Sequence, residues 1–188
     1  MTDPGTTRKL SAEADFWRGL FDDLTSRIAR LEAALAAVPT EDASAASLVR
    51  LKSYARALDE LHGALDRVQR DRADLRLKPL FALDGPLAGF LSRLYGWCEG
   101  MGADFERMAT ALQRRQPTSV VFSHKAVNES YAQFDALIQA MRRANDAARP
   151  RDEREDEQRV WRAFEERLEE LIWATEWVHM TLARPPGE

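Results

Sequence analysis

Two pairs of an acidic residue and a histidine are the residues of this sequence whose types and spacing could do chemistry. Asp59 precedes His62 by three positions, and Glu176 precedes His179 by three positions. Residues three apart on a helix share a face, so each pair would present a carboxylate and an imidazole together. Both groups are ligands of transition metals, and the two pairs are therefore candidate metal ligands.

This spacing resembles the ferritin-like family of helical bundles, in which two helices carry Glu-x-x-His and two others carry one Glu each. The resemblance implies Glu99 and Glu129 as the remaining ligands of an iron or manganese centre. The first pair, however, begins with Asp rather than Glu. At 100° per residue, Asp59 and Glu176 also lie about 120–130° from the apolar faces of their own helices, whereas metal ligands must project into the bundle. We therefore expect no metal and no cofactor.

A second short motif consists of Arg56 and, six positions later, His62. It resembles the Arg-x(4–6)-His motif of the HEPN ribonucleases, an all-helical family, and the resemblance covers seven residues. It implies RNA cleavage with Arg56 and His62 as the site residues, although the motif falls in the second predicted helix rather than near the end of a domain. The sequence contains no glycine-rich phosphate loop and no metal-type Cys/His cluster. A non-catalytic protein is the preferred prediction.

The composition is that of one soluble globular domain. The chain has 188 residues, of which 45% are hydrophobic and 31% charged, with a net charge of −4. The single cysteine, Cys98, excludes an internal disulfide and suits a reducing compartment. The first nine residues lack the apolar core of a signal peptide, and no apolar run is long enough to span a membrane. We therefore expect a cytoplasmic protein without membrane contact.

Prolines separate five segments in which apolar residues recur at alternating steps of three and four, a pattern that predicts helices. We call each apolar row a seam. The seams run from Trp17 to Val38, Leu48 to Leu75, Leu87 to Leu112, Val127 to Met141 and Trp161 to Leu182. Such seams are typical of long helices packed nearly antiparallel. The predicted fold is all-α, an elongated antiparallel five-helix bundle with heptad-like seams.

The same pattern predicts the domain boundaries. Ser11 is the expected N-cap of the first helix, so residues 1–10 are predicted to be a flexible leader. Residues 11–184 form a single helical-bundle domain, and residues 185–188, which follow the last helix, form a short tail.

Two predicted helices have unusual residues outside their seams. In the fifth helix, Trp173, Trp177 and Met180 lie about 140–180° from the seam, and we call these three residues the tryptophan patch. In the third helix, Gly89, Gly96 and Gly100 lie on a line of small residues opposite the seam, which we call the glycine stripe. Glycine inside a helix costs about 1 kcal/mol relative to alanine, so the stripe requires compensation through close approach of another element.

Large aromatic side chains at such positions are either covered by a second layer of the bundle or exposed as a binding surface. In the first case the glycine stripe is a candidate for the covering element. In the second case the patch is an interface, because tryptophan is enriched among interface hot spots. We predict a protein–protein interaction module, an adaptor, regulatory or structural subunit. It is expected to self-associate or bind another protein through the tryptophan patch, with the glycine stripe as receptor.

The distribution of charge supports an alternative prediction. Residues 50–78 carry eight basic and five acidic residues, whereas residues 150–188 carry six basic and eleven acidic ones. The candidate basic patch consists of Arg67, Arg70, Arg76, Lys78, Arg114 and Arg115. Acidic residues interleave with the first four, which weakens a surface that follows a phosphate backbone. The alternative is an accessory helical subunit of a nucleic-acid-binding complex.

Overall fold

The computed structural model describes residues 4–41, 45–113, 124–149 and 155–183, and every element in these ranges is helical. The α-helices are α1 (Pro4–Ala36), α2 (Ala45–Asp71), α3 (Pro86–Gln113), α4 (His124–Ala148) and α5 (Glu155–Ala183). A 3₁₀ helix, Leu75–Phe81, lies between α2 and α3. The all-α fold is confirmed, and the described ranges contain six helices rather than the five expected. Within them, no helix has both the length and the apolarity needed to cross a membrane.

The additional helix arises within the segment predicted to be the second helix, whose seam runs to Leu75. α2 instead ends at Asp71, and the Asp74 carboxylate accepts a hydrogen bond from the backbone N–H of Arg76 at 3.0 Å. An Asp in this N-cap position satisfies a backbone donor that the start of a helix leaves without a partner. The 3₁₀ helix then buries Leu77 and Phe81 against the core.

The first helix also begins earlier than expected. α1 starts at Pro4, so Ser11 lies inside the helix rather than at its N-cap, and most of the expected leader is helical. Proline is well tolerated at a first helical position, because the N–H it lacks would have no partner there. The division into leader, domain and tail stays a prediction.

The five α-helices pack in a closed ring in the order α1, α3, α4, α5, α2 and back to α1. Successive helices in the chain alternate in direction, and a ring with an odd number of such helices must contain one parallel pair. That pair is α1 and α3, because Arg27 bonds to Tyr95 and, further along both helices, Leu31 lies against Gly102. The expectation of antiparallel neighbours is therefore wrong for this pair.

The core fills the interior of the ring, and the 3₁₀ helix lies at one end of it. The first seam is buried throughout, from Trp17 to Leu35 in α1 and at Val38 just after it, as is the α5 seam from Trp161 to Val178. At the 3₁₀ end, the Trp17 indole N–H donates to the Phe81 carbonyl oxygen at 2.9 Å. The Phe81 ring centroid lies 5.2 Å from that of Trp17 and 5.6 Å from that of Phe164. This end of the core is therefore held by edge-on and tilted contacts between aromatic rings and by a buried hydrogen bond.

Candidate interaction surface on helix α5

The tryptophan patch lies at the surface of the described chain. Trp173 is 51% exposed and Met180 is 49% exposed, whereas Trp177 is half-buried and packs against the core. The rings of Trp173 and Trp177 lie 5.0 Å apart between centroids, at an interplanar angle of 41°. The patch is thus an exposed apolar surface with one tryptophan anchored in the core.

Helix α2 places a cation beside the patch and carries an exposed apolar residue on the same face. The Arg56 guanidinium carbon lies 5.3 Å from the centroid of a Trp177 ring, within the range of a cation–π interaction. Val49, which is 65% exposed, lies seven positions before Arg56 and so on the same face of α2. α2 and α5 are antiparallel, since Arg56 contacts Trp177 and Arg67 bonds to Glu170. Val49 therefore lies toward the end of α5 that carries Met180.

Sequence reasoning missed both of these residues as part of the surface. The spacing of seven between Val49 and Arg56 was visible in the sequence. The contact of Arg56 with α5 depends on how the helices pack, and the spacing alone does not determine this packing.

Gly96 and Gly100 of the glycine stripe are exposed, with no described helix covering them, whereas Gly89 lies against α4. An ideal Cβ atom built at Gly96 or Gly100 would meet nothing within 4 Å, while one at Gly89 would approach Leu137 Cδ2 to 3.2 Å. The expectation that the bundle itself covers the stripe is wrong for Gly96 and Gly100 in the described part. The second buried face of α3 is formed instead by Phe90 and Trp97, which pack on α4.

Most described members of the candidate basic patch are engaged in contacts within the chain. Arg67 Nε donates to Glu170 Oε2 at 2.6 Å, and Arg76 pairs with Asp74, whose pKa this hydrogen bond lowers. Arg70 donates to a backbone carbonyl of α2, and Lys78 is exposed. Arg114 and Arg115 lie outside the described residues. The described members therefore do not form a continuous surface of free positive charge.

The candidate metal ligands have separate neighbours. His62 Nδ1 lies 3.5 Å from Glu32 of α1, His179 stacks on Tyr131 of α4, and Glu99 pairs with Arg27 at 3.2 Å. The side chain of Glu129 lies outside the described part. Among the described side chains, no group of three His, Cys, Asp or Glu residues could hold a metal ion.

The two residues of the HEPN-like motif also face different helices. Arg56 lies over Trp177 of α5, whereas His62 is directed toward α1. The two side chains therefore have no common neighbour in these contacts.

Comparison with known proteins yields no relative. No family model, no curated protein and no solved structure matches this chain. Its function is therefore inferred from the geometry of its own surface.

A neutral aromatic pair joins α4 to α5 close to the patch. The Tyr131 and His179 rings stack with centroids 4.0 Å apart and planes 14° apart. His179 Nδ1 is buried and has no hydrogen-bond partner among the described residues, and burial lowers the pKa of His179. Burial raises the pKa of Tyr131, with a further contribution from Glu176. Both side chains are therefore uncharged near neutral pH.

His179 is expected to make the protein less stable as the pH falls below about 6.5, the ordinary pKa of histidine. The unfolded chain binds a proton on His179 at that pH, whereas the folded chain binds it only at lower pH. The stability that neutral His179 contributes is thus complete above about 6.5 and is lost as the pH falls toward the folded-state value. Urea unfolding at about pH 7.5 and about pH 5.5 measures the loss.

The control is His179→Phe, which keeps an aromatic ring against Tyr131 and removes the titration. Its free energy of unfolding is expected to fall less between the two pH values. An equal fall in both proteins would contradict the prediction.

Proposed function

We propose that this protein is a non-catalytic protein–protein interaction module, an adaptor, regulatory or structural subunit, that self-associates through the tryptophan patch. The observation that carries the proposal is the exposure of Trp173 beside Met180, at 51% and 49%. Exposed apolar patches mark interaction sites, and tryptophan dominates many interfaces. We also propose that the bundle is elongated, because α1 alone has 33 residues and spans about 50 Å at 1.5 Å per residue.

The burial of Cys98 supports a non-catalytic role and a cytoplasmic location. Cys98 is buried, and burial raises the pKa of its thiol to about 12, so it is not an activated nucleophile. A single buried cysteine also suits a reducing compartment. No described feature specifically favours the alternative, an accessory subunit of a nucleic-acid-binding complex, because Arg67 and Arg76 are paired within the chain.

The proposed occupant of the tryptophan patch is the glycine stripe of a second copy. Gly96 and Gly100 present helix backbone with open space above it, so an indole ring can approach α3 closely there. Each copy carries one patch on α5 and one stripe on α3. In a two-fold dimer the patch–stripe contact occurs twice, and the assembly closes.

Replacing Trp173 and Met180 together with alanine is expected to raise the dimer dissociation constant by about hundredfold, equivalent to about 2.8 kcal/mol. Both side chains are half-exposed, so the fold should persist. Trp177 is left in place because it packs against the core. Sedimentation velocity over a concentration series measures the dissociation constant, and circular dichroism verifies the helix content.

Phe16→Ala is the matched control, because it removes another exposed aromatic ring, 40% exposed, from α1. It should leave the dissociation constant unchanged. Gly96→Leu tests the receptor, since it places a side chain in the open space on the stripe and should weaken association. A wild-type chain that stays monomeric, or a double variant that associates as tightly as the wild type, would overturn the proposal.

A further inference from the structure

Asn145 is a polar residue at a core position of α4. The buried positions Phe134, Ile138 and Met141 alternate by four and three, and the next position in that alternation is Asn145. Asn145 is only 5% exposed, and its Oδ1 atom accepts no hydrogen bond from any group that the structure describes. A buried carbonyl oxygen without a donor is costly in a folded protein, so such an atom calls for a ligand or another specific explanation.

Asn145 lines a cleft between α4 and α5. The cleft has a volume of about 140 Å³, which equals the volume of about five water molecules at about 30 Å³ each. Its floor is apolar and consists of Met141, Leu168 and Ile172, all of them buried. The site can therefore hold a short aliphatic chain with one polar end.

The rim of the cleft is more acidic than basic. Arg142 forms two hydrogen bonds to Glu169, at 2.8 and 2.7 Å, and these bonds lower the pKa of that carboxyl. Glu165 lies 3.8 Å from Arg149, a longer ion pair. The third carboxylate on the rim, Asp146, has no ion pair with any residue whose side chain the structure describes. Three carboxylates and one guanidinium group, that of Arg142, therefore line the cleft, and Arg142 is already bonded to Glu169.

We propose that this cleft binds the cationic end of a lysine or arginine side chain from a protein partner. The inference rests on the proposed function as an interaction module and names the chemistry that it recognises. Ammonium and guanidinium groups carry only donors, so they can bond both to Asn145 Oδ1 and to Asp146 or Glu165. The methylene chain lies along Met141 and Leu168, as the aliphatic parts of such side chains do on apolar surfaces.

The test uses small probes on the ¹⁵N-labelled full chain. n-Butylammonium chloride represents lysine, n-propylguanidinium chloride represents arginine, and n-butanol is the neutral control at matched ionic strength. We expect saturable NMR shifts at the Asn145 side-chain amide and at the backbone of Glu165–Ile172 with at least one cation. Binding of n-butanol should be weaker by about tenfold or more, as expected when paired charges and donors are lost. The two cation arms distinguish a lysine-type from an arginine-type ligand.

Asn145→Leu removes the acceptor and fills the site with an apolar side chain, so it should raise stability and weaken cation binding by about tenfold. Asp146→Asn tests the same site from the exposed rim, and Asp135→Asn is the matched control on an exposed acid elsewhere on α4. Equal shifts with n-butanol, shifts that do not saturate, or full binding by both site variants would overturn the proposal. A monomeric wild-type chain that still binds the cation would overturn self-association alone.

Discussion

Replacing Trp17 with alanine is expected to lower the free energy of unfolding by about 3–5 kcal/mol. Trp17 is 2% exposed, and its ring packs against Phe81 and Phe21 at centroid distances of 5.2 and 6.1 Å. The substitution removes a buried tryptophan side chain from the end of the core where the 3₁₀ helix lies. It also leaves a cavity between α1 and that helix, and the surrounding side chains can fill this cavity only in part.

The hydrogen bond accounts for a separable share of this loss. The Trp17 indole N–H donates to the Phe81 carbonyl oxygen in a buried position. Trp17→Phe keeps most of the apolar surface and leaves that carbonyl without its donor, so it should cost about 1–3 kcal/mol. The difference between the two variants separates packing from hydrogen bonding.

Urea unfolding followed by far-ultraviolet circular dichroism measures both variants. Phe16→Ala is the adjacent control, because Phe16 is 40% exposed and meets the Trp17 ring only edge-on, at 5.5 Å between centroids. It should lower the free energy of unfolding by about 1 kcal/mol, well below the loss for Trp17→Ala. A loss for Trp17→Ala as small as that of the control would mean that the 3₁₀ helix does not close this end of the core.

The α1 seam was predictable because a single helix determines it. Its apolar period is a local property of the chain, and the seven seam residues from Trp17 to Val38 are all buried. The break after Asp71 was not predictable in the same way, since Leu75 continues the period of α2. The break depends on the Asp74 cap and on Leu77 and Phe81 finding a place in the core. The parallel α1–α3 pair depends on the order of helices in the ring, which no local period contains.

The candidate sites also differ in whether the local sequence or the packing of the helices determines them. The helical wheel places Trp173 and Trp177 on one face of α5, but only Trp177 is half-buried, because α2 and its Arg56 lie on that side. The exposure of the patch thus needed the arrangement of neighbouring helices. Asn145, by contrast, could have been found from the sequence, since extending the α4 seam by one step beyond Met141 reaches it.

Phe134→Ala is expected to lower the free energy of unfolding by about 3–5 kcal/mol, as much as Trp17→Ala. Phe134 is fully buried, with its ring centroid 5.4 Å from that of Phe90 and 5.5 Å from that of Trp97. It also lies 5.8 Å from Tyr131, which stacks on His179 of α5. One side chain therefore supports the contacts of α4 with both α3 and α5.

Because α4 lies between α3 and α5 in the ring, loosening it should destabilise the bundle as one unit. We expect a single unfolding transition at a lower urea midpoint, with the slope of the wild type. Phe134→Leu, which removes less volume, should show the same single transition with a smaller loss. Urea titrations followed by circular dichroism and by tryptophan fluorescence should give coincident midpoints. A first transition that removes only part of the helix signal would contradict the prediction. It would mean that α4 unfolds independently of the other four α-helices.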